Sequence, residues 1–309
     1  FRRVLFRSSL IRGVLRGLKD HGYKIGGFNA YATSDVLVGA GLSSSAAFEV
    51  VVGTIISGLY NDMKINSVEI AQISQYAENV FFKKPCGLMD QMACSVGGMV
   101  NIDFKDPTKP IVKKVPTEFE KYDYSLCIVD TKGDHVDLTD DYAMIPSEMK
   151  KVANFLGEDY LRDCDSNEFY IRLDEIREAV GDRPVLRAIH FFNEEYNVKN
   201  AVSSLENGKF VEFLDAIRKS GNSSFKYLQN VYTTRDIQHQ NISVALALSE
   251  SLLRNYGVCR VHGGGFAGTI QAFVKNDFVS NYKEFINKIF GENSCHVLKV
   301  RKYGGIKVM

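Results

Sequence analysis

No apolar stretch in this sequence approaches the ~20 residues a membrane helix needs, and its opening, Phe1 to Ser9 (FRRVLFRSS), lacks the apolar centre and small-residue cleavage site of a signal peptide. There is no CxxC pair, and no histidine stands at zinc-ligand spacing from the six cysteines, Cys86, Cys94, Cys127, Cys164, Cys259 and Cys295. Neither a disulfide framework nor a zinc site is suggested, and reduced thiols in a cytoplasm are expected. Charge of one sign is missing too: 38 Lys and Arg face 37 Asp and Glu, a formal net charge of +1. Nothing electrostatic draws the chain to nucleic acid or to an anionic membrane, so a small-molecule partner is expected. Internal repeats and low-complexity segments are absent from the sequence.

What is present is an ordinary globular composition, 45% hydrophobic and 24% charged over 309 residues, enough for two domains. The chain starts with Phe1 rather than methionine, and native sequence upstream is expected. Alternating apolar and polar residues predict a strand over Phe28 to Val38, leading into a glycine turn. A nearly continuous apolar helix, buried between a sheet and other elements, is predicted over Ala46 to Tyr60, and an amphipathic one over Val68 to Phe82. Strands are predicted over Ser95 to Phe104 and Tyr124 to Thr131, joined by the connection DPTKPIVKKVP. Beyond about Tyr142 helical patterns dominate, over Pro146 to Leu156, Arg183 to Leu205, Lys209 to Ser220 and Asn241 to Tyr256. Strand and glycine signals return from Val258 to Val274.

Three motifs carry chemistry. In VGAGLSSSAAFE, Val38 to Glu49, the glycines Gly39 and Gly41 permit unusual backbone angles just before a helix start. The free N–H groups and dipole of that helix start attract an anion, and the hydroxyls of Ser43, Ser44 and Ser45 can cap the helix, donate to phosphate or help hold a metal. Read alone, a capped loop-to-helix junction fits equally well. In PCGLMDQ, Pro85 to Gln91, Asp90 follows a proline-glycine turn near a short helix start, where it can serve chemistry or simply cap. In VHGGGFAGTIQA, Val261 to Ala272, the glycines Gly263 to Gly265 can close backbone over a ligand or make a tight hairpin.

Taken together, GLSSSAA at Gly41 to Ala47, AENVFFKKPCGLMDQ at Ala77 to Gln91 and RVHGGGFAGTIQAFV at Arg260 to Val274 resemble the GHMP small-molecule kinase superfamily, and within it the galactokinase family. The likeness runs from about Ile11 onward, and PCGLMDQ is its galactokinase-specific part. The resemblance implies an α+β, two-lobed GHMP kinase fold. Residues 1–140 would form an N-terminal ATP-binding domain, a mixed sheet with helices, and residues 141–309 a helix-rich α/β lobe. It implies that Gly39, Gly41, Leu42, Ser43, Ser44, Ser45 and Ala46 hold the ATP phosphates. A Ser44 or Ser45 hydroxyl, with the Glu78 carboxylate, would help hold Mg2+, in keeping with that ion's preference for oxygen ligands shared with phosphates. Asp90 matches the catalytic aspartate beside the attacking sugar hydroxyl. Tyr142, Gly264 and Gly265 fall at sugar-contacting places, whereas His135 and His262 are left as structural or solvated residues.

Two departures qualify the match. The N-terminal segment of the kind GRxNLIGEHxDYxGG, which binds sugar hydroxyls in galactokinases, is not found and is expected upstream, with an unpaired sheet edge and exposed apolar surface where it is missing. At Tyr142 to Glu148 (YAMIPSE), Ile145 and Pro146 stand where many members carry paired arginines, whose forked charged donors no apolar residue replaces. The resemblance therefore implies transfer of the ATP γ-phosphate to the anomeric hydroxyl of galactose. The alternatives are a GHMP kinase for another sugar or small alcohol, or a non-catalytic sugar- and ATP-binding regulator.

Overall fold

The computed structural model describes residues 2–36, 42–84, 86–116, 119–133 and 138–308, the side chains of residues 2–7 and 120 excepted. By its internal contacts the chain divides into one unit of Phe1–Thr117 with Val300–Met309 and a second of Glu118–Lys299.

The first unit contains helices α1 (Arg2–Asp20), α2 (Ser44–Tyr60), α3 (Ser67–Tyr76) and α4 (Met89–Val96), then strands β1 (Met99–Asp103) and β2 (Ile111–Val115). Helix α1 has no counterpart in the elements expected from the sequence, although Leu10, Val14 and Leu18 recur every four residues and are fully buried. Burial of each contributes roughly 1.5–3 kcal/mol, enough to seat the helix. Gly13 lets it approach closely, because a Cβ there would lie 2.6 Å from the Ala77 methyl. Val50, Val52 and Ile56 of α2 and Ile70 and Ile73 of α3 complete this core. The outer face of α2 stays open, with Val51 48% and Leu59 59% exposed, so the helix is buried against α1 and α3 on one face rather than between a sheet and other elements.

Helix α3 starts where Asn66 accepts the Glu69 N–H through its side chain at 2.9 Å. It widens after Tyr76 into a π-helical turn, Ala77–Phe81, as such turns often do at functional positions. Two expected strands are corrected. Residues 28–36 form no strand, since alternation yields a ladder only where another strand offers its edge, and Tyr31 there is 96% exposed. Residues 37 and 38 lie outside the described set. The strand expected from Ser95 begins at Met99, because Ser95 and Val96 finish α4 and the positive φ of Gly97 and Gly98 turns the chain. Its partner β2 comes from the lysine-rich connection, antiparallel with Met99 opposite Val115. Those lysines suit an exposed edge. Gly98 N–H donates to Arg301 O at 2.7 Å, fastening the C-terminal segment to this unit.

The second unit contains β3 (Tyr124–Asp130), α5 (Thr139–Phe155), α6 (Ser166–Ile171), α7 (Leu173–Val180), α8 (Asp182–Glu206), α9 (Phe210–Ser223), α10 (Asn241–Leu252), β4 (Gly257–Val261), β5 (Thr269–Lys275), α11 (Val279–Phe290) and β6 (Cys295–Leu298). Its sheet runs β4-β5-β3-β6 with every pairing antiparallel. Cys127, Val129, Ile270 and Ala272 from the sheet pack with Ile242, Ala245 and Tyr282 from α10 and α11. Helix α5 starts at Thr139, earlier than expected, and carries Pro146 inside it rather than at its first turn. Antiparallel sheets with helices gathered beside them make the class α+β.

Candidate active site

In the first unit the serine motif enters α2 with Ser43 in the left-handed region, φ 52°, and the first helical bond runs from Ala47 N–H to Ser43 O at 3.1 Å. The N–H groups of Ser44, Ser45 and Ala46 precede that bond and have no intrahelical partner. With no acidic residue in the first turn, their positive end is not neutralised locally. Leu42 is half-buried and Ala46 buried. Gly39 and Gly41 lie outside the described residues.

Ser45 Oγ donates to Glu78 Oε1 at 3.0 Å, and Lys84 Nζ donates to the same oxygen at 2.9 Å. Glu78 sits on the π turn and is 2% exposed. Burial opposes the Lys84 charge, yet the Glu78 carboxylate beside it raises the ammonium above its usual value. On the other side Gln91 Nε2 donates to Glu78 Oε2 at 2.8 Å and to Glu49 Oε2 at 3.3 Å. Glu49 is fully buried, and desolvation, reinforced by the Glu78 charge, pushes its carboxyl up to about 8. Cys86 is pushed up to about 12 by burial and by Glu78, which makes it an inert thiol. The loop carrying Cys86 is tied to the π turn: its N–H donates to Asn79 Oδ1 at 2.7 Å, and its carbonyl accepts from Gln75 at 3.1 Å.

Asp90 lies in the first turn of α4 and is exposed. The capping position belongs to Leu88, so the carboxylate of Asp90 is not used as an N-cap. Ser45, Glu78 and the helix bearing Asp90 are thus brought together, the last through Gln91. Glu49, Lys84 and Gln91 were not singled out from the sequence. Glu49 stands one helical turn after Ser45, a spacing that could have drawn attention to it.

Among the described residues no group of three His, Cys, Asp or Glu side chains could hold a metal. Magnesium needs less, commonly one or two carboxylates beside substrate phosphates at 2.0–2.1 Å. Adjacent corners of such an octahedron stand about 2.9 Å apart, and Ser45 Oγ and Glu78 Oε1, both hard oxygens, stand 3.0 Å apart. The donor pair fits that ion.

In the second unit the glycine motif is the loop of the β4–β5 hairpin, closed by His262 N–H donating to Thr269 O at 3.0 Å. Gly263 and Gly265 have φ of 70° and 81°, where glycine alone is unstrained. Tyr142 Oη donates to Gly265 O at 2.8 Å, and its ring meets Phe266 edge-on. Asn230 Nδ2 donates to Gly264 O at 3.0 Å. Space is scarce: a Cβ on Gly264 would lie 2.8 Å from the Tyr142 ring, and one on Gly265 would lie 1.9 Å from Asn230 O. Tyr142, Gly264 and Gly265 therefore form one packed group, with Asn230 as the fourth member that the sequence did not reveal. His262 Nδ1 pairs with Gln271 Oε1 at 3.2 Å. His135 lies outside the described residues. No helix among the described residues is long and apolar enough to cross a membrane.

Residues 9–98 match the family model for the GHMP kinases N terminal domain. The chain is 30% identical over 268 residues to the galactokinase of Streptomyces coelicolor, covering 85% of this chain and 65% of that protein. To the galactokinase of Limosilactobacillus reuteri it is 30% identical over 287 residues, covering 90% of this chain and 69% of that protein. The chain thus spans about two thirds of the length of these relatives. Among solved structures, galactokinase of Lactococcus lactis complexed with galactose superposes with a TM-score of 0.73 at 22% identity, covering 96% of this chain and 75% of that one. Homoserine kinase from Cytophaga hutchinsonii superposes with a TM-score of 0.56 at 15% identity, covering 97% and 78%. With 30% identity to a relative of which it covers 69%, and with the N-terminal domain model matched, the chain belongs to the galactokinase family of the GHMP kinases.

Proposed function

We propose that this chain is an ATP-dependent sugar 1-kinase that transfers the γ-phosphate of ATP to the anomeric hydroxyl of galactose, giving galactose 1-phosphate and ADP. The observation that carries the reading is the hydrogen bond from Ser45 to Glu78, with the helix of Asp90 held to the same carboxylate through Gln91. Residues through about 140 would bind nucleotide and cation, and residues from 141 would supply the glycine turn. The Gly39 to Ala46 segment cradles the phosphates, its free N–H groups and helix dipole facing their negative charge. Ser45 and Glu78 hold Mg2+, which when bound neutralises charge on the phosphates.

Asp90 accepts the hydrogen bond of the sugar's anomeric hydroxyl and takes its proton as the oxygen bonds to the γ-phosphorus and the β,γ-bridging bond breaks, with the electron pair leaving on ADP. Its exposure on α4 leaves the carboxylate accessible to a substrate. Lys84 donates to the same Glu78 oxygen as Ser45 and helps fix the position of that carboxylate. Within the second unit Tyr142, Gly264 and Gly265 form a rigid group, Tyr142 fixing the carbonyl of Gly265, and sugar contact by this group is part of the proposal.

A second reading, a kinase for another sugar or small alcohol, is favoured by Ile145 and Pro146 on α5, which offer no guanidinium donors near Tyr142. The test is transfer of labelled γ-phosphate from ATP to galactose and to a panel of other sugars and small alcohols. Galactose 1-phosphate as the main product supports the proposal. A different preferred acceptor favours the second reading, and binding of both ligands without transfer identifies a regulator.

A further inference from the structure

Gln91 is 1% exposed, and the hydrogen bonds of its carboxamide nitrogen go to two carboxyl groups and a thiol. Its Nε2 reaches Glu78 Oε2 at 2.8 Å, Glu49 Oε2 at 3.3 Å and Cys86 Sγ at 3.6 Å, three acceptors for two hydrogens. Its Oε1 and Glu49 Oε1 are both buried without a partner. Leaving two buried oxygens unmatched costs free energy, and a side chain chosen only to fill space would not do so. The amide orientation follows from the surroundings, because a carbonyl turned toward the Glu78 carboxylate would set two acceptors against each other.

We propose that Gln91 is a positioning residue that holds the Glu78 carboxylate in the orientation that presents Oε1 to Ser45 and to the nucleotide-bound cation, and that fastens the Asp90 helix to that carboxylate. The inference rests on the kinase reading and deepens it. Glu78 has two oxygens. Ser45 and Lys84 converge on Oε1, and rotation about the last torsion of the glutamate would exchange the two oxygens or swing both away. The bond from Gln91 to Oε2 opposes that rotation. Because Gln91 follows Asp90 directly on α4, the same bond fixes the height and rotation of the helix turn from which Asp90 projects. One carboxamide thereby couples the cation ligand to the proton acceptor. Groups that orient a metal ligand without touching the metal typically carry 10–100-fold in affinity.

The test measures binding of Mn2+ with ADP to this chain by the loss of the free Mn2+ electron paramagnetic resonance signal, alongside galactose affinity and the melting temperature. Gln91→Met keeps the length and removes both donors. It is expected to bind Mn2+ with ADP about 10–100-fold more weakly, with a clearly smaller loss of galactose affinity, transmitted through the Asp90 turn, and the melting temperature close to that of the parent. Gln91→Asn, which keeps the amide but withdraws it by one methylene, carries the same expectation and serves if Gln91→Met does not fold. A folded variant that binds Mn2+ with ADP as tightly as the parent overturns the inference and leaves the kinase reading intact. Equal loss for Mn2+ and galactose overturns it as well, since that marks general loosening. A parent chain that binds no Mn2+ with ADP overturns the kinase reading itself.

Discussion

Ser45 Oγ and Glu78 Oε1 meet at 3.0 Å although 33 positions separate them in the chain, one residue opening α2 and the other riding the π turn after α3. A hydroxyl and a carboxylate at that separation suit two ligand positions of one hard cation. Glu78→Gln removes the charge while keeping the shape. We expect it to lower kcat/KM by about 100-fold or more, given that groups merely supporting a ligand already carry 10–100-fold. Raising Mg2+ should restore part of the loss, and a titration of initial rate against Mg2+ checks this. A Glu78→Gln enzyme with unaltered Mg2+ dependence would remove Glu78 from the cation site.

Asp90→Asn separates proton transfer from binding. The residue is exposed, so stability should stay within about 0.5 kcal/mol of the parent. Loss of the proton acceptor should lower kcat by about 10²–10⁴ with nucleotide affinity retained. Single-turnover kinetics together with ADP binding measure both, and full turnover in the variant would dismiss Asp90 from the chemistry.

Glu49 makes stability depend on pH. Its folded carboxyl sits at about 8, against an ordinary value of 4.5, because burial penalises the charged form. Between those values the folded chain holds a proton that the unfolded chain has released, so the Glu49 contribution is complete below pH ~4.5 and declines as pH rises toward ~8. Glu49→Gln cannot ionise. Measured without added cation, the stability difference between Glu49→Gln and the parent should shift in favour of the variant across that window. A difference independent of pH would show that Glu49 is ionised when folded.

The glycine turn gives a paired test. Gly265→Ala places a methyl group against Asn230 O at a φ of 81° and should destabilise by about 1–3 kcal/mol. Tyr142→Phe removes only the hydrogen bond to Gly265 O and should cost about 1 kcal/mol. Denaturant titration reads both, and a Gly265→Ala protein as stable as the parent would contradict the packing described for this turn.

A buried ion cluster in the second unit predicts a larger effect. Arg187, 2% exposed, donates to Glu148 Oε2 at 2.8 Å, and Arg183 donates to the same carboxylate at 3.0 Å. Glu148→Ala leaves the Arg187 charge buried and unpaired, which typically costs about 3–5 kcal/mol. Calorimetry should show the loss, and a shift of only a degree or two would mean that water reaches Arg187.

Much of this was legible beforehand, for physical reasons that differ between elements. Helices α2, α8 and α9 announce themselves through long runs of suitable period, and Ser45, Glu78 and Asp90 through motifs that bring hydroxyl and carboxylate chemistry to defined places. Residues 28–36 misled because alternation is a property of one segment, whereas a strand requires a second. Helix α1 was overlooked although its buried residues recur every four positions, and β2 was hidden by lysines that suit a solvent-facing edge.

By itself the sequence determined the chemical inventory: a phosphate-suited helix start, a carboxylate near the start of a short helix, a glycine turn, and no charge imbalance or cysteine pattern pointing elsewhere. Those are local properties, set by residue type and spacing of a few positions. Only the tertiary structure decided that Gln91 faces inward to Glu78 and Glu49, that Lys84 turns back onto Glu78, and that Asn230 and Tyr142 grip the glycine turn. These contacts join residues from different helices and loops. Their existence depends on helix phase and on the close packing of side chains distant in sequence, which no short window of sequence contains.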